Sequence, residues 1–271
     1  RPSNYSKKFY GASPLRLGIE KSRNLMTVRL AQNIGMKTVV DYAKRFNLAD
    51  DLEPMLSMSL GSGETTLMRM TTAYAMLVNG GKRIRPTLID KIQDRSGKTI
   101  FQHDRRPCVG CDEISWEDEE VPQLPDNREQ IADPKTAYQV VSMLEGVVKR
   151  GTGRRISTIG KPLAGKTGTT NESRDTWFVG FSPDLTVGVY VGFDRPKPLG
   201  RHETGSSVAA PIFKSFMESA LENTPAIPFR VPPGIKLVRV DARTGRPVLT
   251  GKSGVILEAF LPGTVPTGEE E

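Results

Sequence analysis

Two runs of aromatic and β-branched residues, separated by four turn-forming residues, constrain this chain more than any other feature. Thr176, Trp177, Phe178, Val179, Gly180 and Phe181 lead into Ser182, Pro183, Asp184 and Leu185, and then into Thr186, Val187, Gly188, Val189, Tyr190 and Val191. Such side chains suit a pleated surface, and the four between them have the composition of a tight turn. The spacing predicts an antiparallel hairpin. Residues 164–170, entered through Pro162 and Leu163, are the expected edge strand beside it. That strand, read as lining a site, carries the ammonium of Lys166 and the hydroxyls of Thr167 and Thr169. Gly168, with no side chain, suits a place where a ligand must approach the backbone closely. A Lys-Thr-Gly triplet arises often by chance, so it carries weight only in company.

Helices are expected before this hairpin. Residues 24–47 repeat Val28, Ala31, Val39, Tyr42, Ala43 and Phe46 near helical spacing, with Asn24 as a cap and Gly35 as a turn between two helices. A second helical pattern runs from about 65 to 78 and stops at Asn79, Gly80 and Gly81. A third starts at Asp133 and Pro134, a fitting cap and first turn, and stops before Gly151. A fourth is expected over 211–222. Residues 87–89 and 99–101 flank Asp94–Gly97 as a small hairpin, and 236–240 with 247–250 form another around 241–246. From about 102 to 131 the chain is acidic, contains proline and lacks periodicity, so a long loop or partly ordered insertion is expected there. Helices early, with strands and a terminal helix later, argue for an α+β fold rather than a doubly wound sheet. The composition shift after Pro225 divides the chain into 1–224 and a Pro/Gly-rich appendage over 225–271.

Composition excludes little. The net charge of +7 comes from scattered lysines and arginines, with no recognisable nucleic-acid-binding module; no nucleic-acid partner is expected. No apolar run of about 18 residues is present, so nothing in this sequence spans a bilayer as a helix. The only cysteines are Cys108 and Cys111, with His103 nearby. A single C-x-x-C supplies two of the four ligands a zinc site needs. A redox dithiol wants a positive setting, whereas Asp112, Glu113 and four further carboxylates follow at once. A local disulfide, free thiols and a metal half-site all remain open on the residues alone, and no metal or cofactor is expected.

A Ser-His-Asp triad does not fit, because His103 and His202 sit in loops without a nucleophile-elbow pattern. Another acyl-transfer constellation does. Ser22, Arg23 and Asn24 form an S-x-N element upstream of Lys166, Thr167 and Gly168, two of the three motifs that converge in penicillin-recognising acyl transferases. Long flanking blocks keep the same order: 21–31, 59–66, 77–82, 151–153, 164–170 and 177–181. On these residues the chain resembles the transpeptidase domain of bifunctional, class A penicillin-binding proteins of the 1A type, over roughly residues 1–222. Taken alone, Ser22-Arg-Asn24 reads as a helix cap and Lys166 as a surface lysine; the joint occurrence in order outweighs both.

The resemblance implies a penicillin-binding transpeptidase or β-lactamase-like fold, an antiparallel sheet flanked by helices with a helical subdomain, incomplete at its N-terminus. It implies a serine D-Ala-D-Ala transpeptidase that cross-links peptidoglycan stem peptides and is acylated by β-lactams. Ser22 relays a proton to the leaving amine with Lys166, and Asn24 binds the substrate amide. Thr167 and Thr169 hold the terminal carboxylate, Gly168 leaves room for an added strand, and the Thr169 N–H is one oxyanion donor. It further implies a periplasmic location, a glycosyltransferase domain and a membrane anchor in the parent, and an oxidising setting that favours the disulfide. The third motif, S-x-x-K, is absent: no serine here has a lysine three residues later. The expected reading is a fragment that begins after its nucleophile and is inactive alone. The alternatives are a non-catalytic peptide-binding or scaffolding piece, and a hydrolase of the D,D-carboxypeptidase or β-lactamase kind.

Overall fold

The β-rich runs pair as their residues dictate. In this computed structural model, which describes residues 2–108, 124–249 and 253–267, strand β4 (Thr176–Phe181) pairs with β5 (Thr186–Val191) from Thr176↔Val191 to Phe181↔Thr186. Ser182 closes the turn, its N–H donating to the Leu185 carbonyl at 2.9 Å while its Oγ accepts from the Leu185 N–H at 3.1 Å. Strand β3 (Ala164–Thr169) pairs antiparallel with β4, Lys166 opposite Val179 and Gly168 opposite Trp177. The order β3-β4-β5 leaves β3 at the edge, as its polar sequence predicts.

Side chains three apart on a strand point to opposite faces, and Phe178 and Phe181 use this to anchor two cores. Both are fully buried. Phe178 packs on Phe213 of helix α6 (Ala209–Ala220), centroids 4.6 Å apart, together with Ile156, Leu163 and Met217. Phe181 packs on the other side with Val141 and Leu144 of α5 (Pro134–Arg150) and against Tyr74 of α4 (Leu67–Val78). Helices therefore cover both faces, and burial pushes the Tyr74 hydroxyl up to about 12. A third cluster of Phe46, Ala73, Met76 and Ile131 ties α4 to α3 (Met36–Arg45).

Local chemistry explains most element ends. Asp133 accepts the amides of Lys135 and Thr136 at 3.0 Å each, and Pro134 occupies the first turn of α5. Gly35, at φ +84°, separates α2 (Asn24–Ile34) from α3. Asn24 is not the cap of α2: it is already helical, Arg23 precedes the helix, and the Asn24 side chain donates instead to the Ser3 carbonyl at 3.1 Å.

The bounds of two expected hairpins need correction. The first small hairpin uses β1 (Lys91–Gln93) rather than 87–89, paired with β2 (Thr99–Gln102). Thr87 instead spends its hydroxyl on the Ile89 main chain, a local turn that competes with a ladder. In the terminal hairpin β6 (Lys236–Asp241) pairs with β7 (Val255–Phe260), not with 247–250; Pro247 makes only a single bridge to Val240, since proline cannot donate to a ladder. A short helix α1 (Leu15–Glu20) lies in a stretch with no helical periodicity. Cys108 is disulfide-bonded; Cys111 and most of the acidic stretch lie outside the described residues. Among the described residues no helix is long and apolar enough to cross a membrane.

Candidate active site

Ser22 owes its position to the end of α1. Its N–H donates to the Ile19 carbonyl at 3.1 Å and the Arg23 N–H to the Gly18 carbonyl at 2.8 Å. These are the two bonds of a Schellman closure, with Ser22 at the position that glycine usually takes. Ser22 has φ +52° accordingly, a conformation that costs a side-chain-bearing residue about 1 kcal/mol. The strained turn aims the hydroxyl at β3: Lys166 Nζ donates to Ser22 Oγ at 2.8 Å across 144 residues of sequence.

Among the described residues Lys166 forms no ion pair with a carboxylate. Its Nζ donates also to the Thr167 carbonyl at 2.9 Å. Burial alone lowers its pKa from 10.5 to about 8, because the charged form is what desolvation penalises. The ammonium is thus an exposed need for negative charge in a largely dry place. An anionic group arriving there would stabilise the protonated form and be attracted by it.

The next residues of β3 are held from the outside of the sheet. Thr167 Oγ1 shares a hydrogen bond with Thr152 Oγ1 at 2.8 Å. Thr152 follows Gly151, the cap of α5, and its own carbonyl accepts Ser206 Oγ at 2.8 Å. Thr169 Oγ1 accepts the Gly205 N–H at 3.0 Å. Gly205 must be glycine: a Cβ there would lie 2.5 Å from both the Gly168 and Trp177 carbonyl oxygens. Gly168 proves to be needed from within as well, since a Cβ on it would stand 3.0 Å from the Cβ of Trp177. Its missing side chain makes room for the cross-strand tryptophan, while its main chain stays at the sheet edge.

The structure therefore unites Ser22, Lys166 and Thr167, with Thr169 two residues along the same strand and Gly168 between them. Asn24 stands one helical residue beyond Arg23, with its amide turned to Ser3 rather than to Lys166. Thr152 is the residue that sequence reasoning passed over: 151–153 reads as a Gly-rich loop, and only the fold shows its hydroxyl on Thr167. Arg174 pairs with Glu172 and Asp175 with Tyr190, and neither reaches Lys166. A hydroxyl beside a depressed ammonium can pass a proton, and an open edge strand with hydroxyls can hold an extended peptide bearing a carboxylate.

Comparison with known proteins identifies the family. Residues 3–218 match the penicillin binding protein transpeptidase domain. Penicillin-binding protein 1A of Rickettsia conorii is 46% identical over all of this chain, which spans 34% of that protein. The Pseudomonas aeruginosa protein of the same name is 36% identical, again over all of this chain and 37% of its own length. The crystal structure of penicillin-binding protein 1A from Haemophilus influenzae superposes with a TM-score of 0.80 and 31% identity, covering 98% of this chain and 42% of that one. The PonA1 protein of Mycobacterium tuberculosis, solved in complex with penicillin V, shares the fold at 23% identity with a TM-score of 0.68. The chain spans about a third of the length of the curated relatives it matches.

Proposed function

This chain belongs to the penicillin-binding protein transpeptidase family, and from that premise we propose that it supplies the proton-relay and substrate-gripping half of a serine acyl-transfer site. The observation that carries the proposal is the Lys166 Nζ to Ser22 Oγ hydrogen bond at 2.8 Å.

In this reading the substrate is a peptidoglycan stem peptide ending in D-Ala-D-Ala. It lies along the free edge of β3 as an added strand, its carboxylate on Lys166, Thr167 and Thr169. A nucleophilic serine, not one of this sequence's motif residues, attacks the carbonyl of the penultimate D-Ala. As the new C–O bond forms, that serine gives its proton to the lysine of its own S-x-x-K motif, the carbonyl becomes an oxyanion, and the Thr169 N–H donates to it. The C–N bond then breaks, and the departing amine takes a proton from Ser22 Oγ, which Lys166 replaces. Gly168 contributes main chain to the strand contact. Asn24, whose amide N–H donates to the Ser3 carbonyl, keeps its Oδ1 as the acceptor for the substrate amide. The acyl group passes to the amine of a second stem peptide, which gives a cross-link and restores the serine. A β-lactam acylates the same serine with no leaving amine to lose.

The setting that goes with this chemistry is the periplasmic face of a bacterial inner membrane, with an anchor and a glycosyltransferase domain carried elsewhere in the parent protein. The test is intact-mass analysis of the full-length protein after incubation with a fluorescent penicillin, followed by product analysis with paired stem peptides. A stoichiometric adduct and cross-linked product are expected. Rapid turnover of the penicillin with no cross-linking would make the protein a hydrolase and remove the transpeptidase reading.

A further inference from the structure

Four charged side chains form a linked set away from the reacting centre. Arg16 in α1 is 4% exposed, and Glu20, one turn later, is 3% exposed. The Arg16 guanidinium forks onto the Glu258 carboxylate of β7 through Nε and Nη2, and its Nη1 lies 3.6 Å from Glu20. It also donates to the Ser142 carbonyl and hydroxyl at 2.8 and 2.9 Å. Glu20 accepts from Arg150 Nη2 at 2.6 Å. Burial works against the Arg16 charge, but Glu258 and then Glu20 outweigh it and raise its pKa. Charges this dry persist only while each is compensated.

Glu20 is where this set meets the site. Its carboxylate is wedged against α5, for a Cβ on Gly146 would stand 1.9 Å from its Oε1. Its carbonyl accepts the Thr152 N–H at 3.1 Å, and Thr152 holds Thr167. Two residues beyond Glu20 sits Ser22. The adjoining Lys21 donates to the Arg150 carbonyl. A carboxylate on the terminal hairpin is thus linked, through Arg16 and the α1 segment that carries Glu20, to both segments that frame Lys166.

We infer that Glu258 is a positioning residue for Ser22 and Thr167, acting through Arg16 and Glu20, so that the terminal hairpin sets the geometry of the site. The kinetic part of this inference rests on the acyl-transfer reading; the structural part does not.

The test compares Glu258→Gln with the paired replacement Arg16→Met/Glu258→Leu, which removes both charges and leaves neither unpaired. Met76→Ala, in a fully buried position of the α3–α4 cluster, serves as a control that destabilises elsewhere. Amide hydrogen exchange is followed at Arg23 and Thr152, whose N–H groups bond to Gly18 and Glu20. Both Glu258 variants are expected to speed exchange at these two amides about tenfold or more, with Met76→Ala leaving them unchanged. In the full-length protein the acylation rate by a fluorescent penicillin is expected to fall about tenfold while the binding constant moves less than about twofold. Unchanged exchange in both Glu258 variants, or an equal rise in Met76→Ala, would overturn the inference. Should the wild-type protein take no penicillin at all, the acyl-transfer reading fails, and amide exchange still decides the role of Glu258.

Discussion

Lys166 Nζ lies 2.8 Å from Ser22 Oγ, which joins an ammonium weakened by burial to a hydroxyl held on a strained turn. The pairing gives each residue a task that neither has alone. Among the described residues the lysine has no carboxylate partner, and the serine occupies a glycine position, so both sit at a local disadvantage that packing elsewhere must offset.

Lys166→Ala removes the ammonium that donates to Ser22 Oγ. In the full-length protein the substitution is expected to lower acylation by a fluorescent penicillin by about two to four orders of magnitude, the scale of a lost proton-transfer or charge-stabilising group. A loss of less than tenfold would take Lys166 out of the reaction.

The lysine also leaves a mark on stability. Its pKa is about 8 folded, against roughly 10.4 for an unfolded lysine. Between those values the unfolded chain binds more protons than the folded one, so stability climbs with pH through the window. Below it, the folded state bears the whole cost of the buried charge; above it, none. Lys166→Met is therefore expected to stabilise the protein more near pH 7 than near pH 10.5, by a margin on the order of 2–3 kcal/mol. Denaturant unfolding of both proteins at the two pH values measures the margin, and a flat difference would mean an ordinary lysine.

Ser22→Gly separates fold from function at one atom group. Glycine takes φ +52° without strain, so the variant should be as stable as wild type or up to about 1 kcal/mol more stable. Acylation should nevertheless fall with the hydroxyl. Ser22→Ala should lose the same activity and gain no stability. Thermal melts beside penicillin labelling distinguish these cases; a fully active Ser22→Gly would end the relay assignment.

Gly205→Ala tests how the loop before α6 supports β3. The added methyl would press on the Gly168 and Trp177 carbonyls at 2.5 Å and break the Gly205 N–H bond to Thr169. A loss of about 1–3 kcal/mol is expected, with the Thr169 amide exchanging faster. Retained stability and unchanged exchange would show that the loop yields without cost.

The parts of this structure visible in the sequence are those whose cause is local. The β4–β5 hairpin follows from alternating aromatic and β-branched residues around a Ser-Pro-Asp-Leu turn, and α5 from Asp133 and Pro134 at its start. Lys166 and Ser22 could be picked out because each belongs to a short motif, although the bond between them is a property of the fold. What stayed hidden depends on distant partners. Strand β7 exists because β6 and α5 receive it, and Leu257 and Glu258 carry little strand signal of their own. Thr152 looks like a loop residue until Thr167 is brought against it. Asn24 is the instructive miss: its type suits a cap, yet the approach of Ser3 redirects its amide.

Arg16 and Glu258 bond across 242 residues of sequence, and that separation turns order of synthesis into order of assembly. At typical rates of elongation, the arginine waits roughly 12 to 48 s for its carboxylate to be made. Through that interval α1 carries a guanidinium without its main counter-charge, and the serine two residues past Glu20 has no final anchor. A product halted near residue 249 would contain Ser22, Lys166, Thr167 and Thr169 and still lack β7, which carries Glu258. Synthesis of β7 is, in that sense, a checkpoint for the geometry around Ser22.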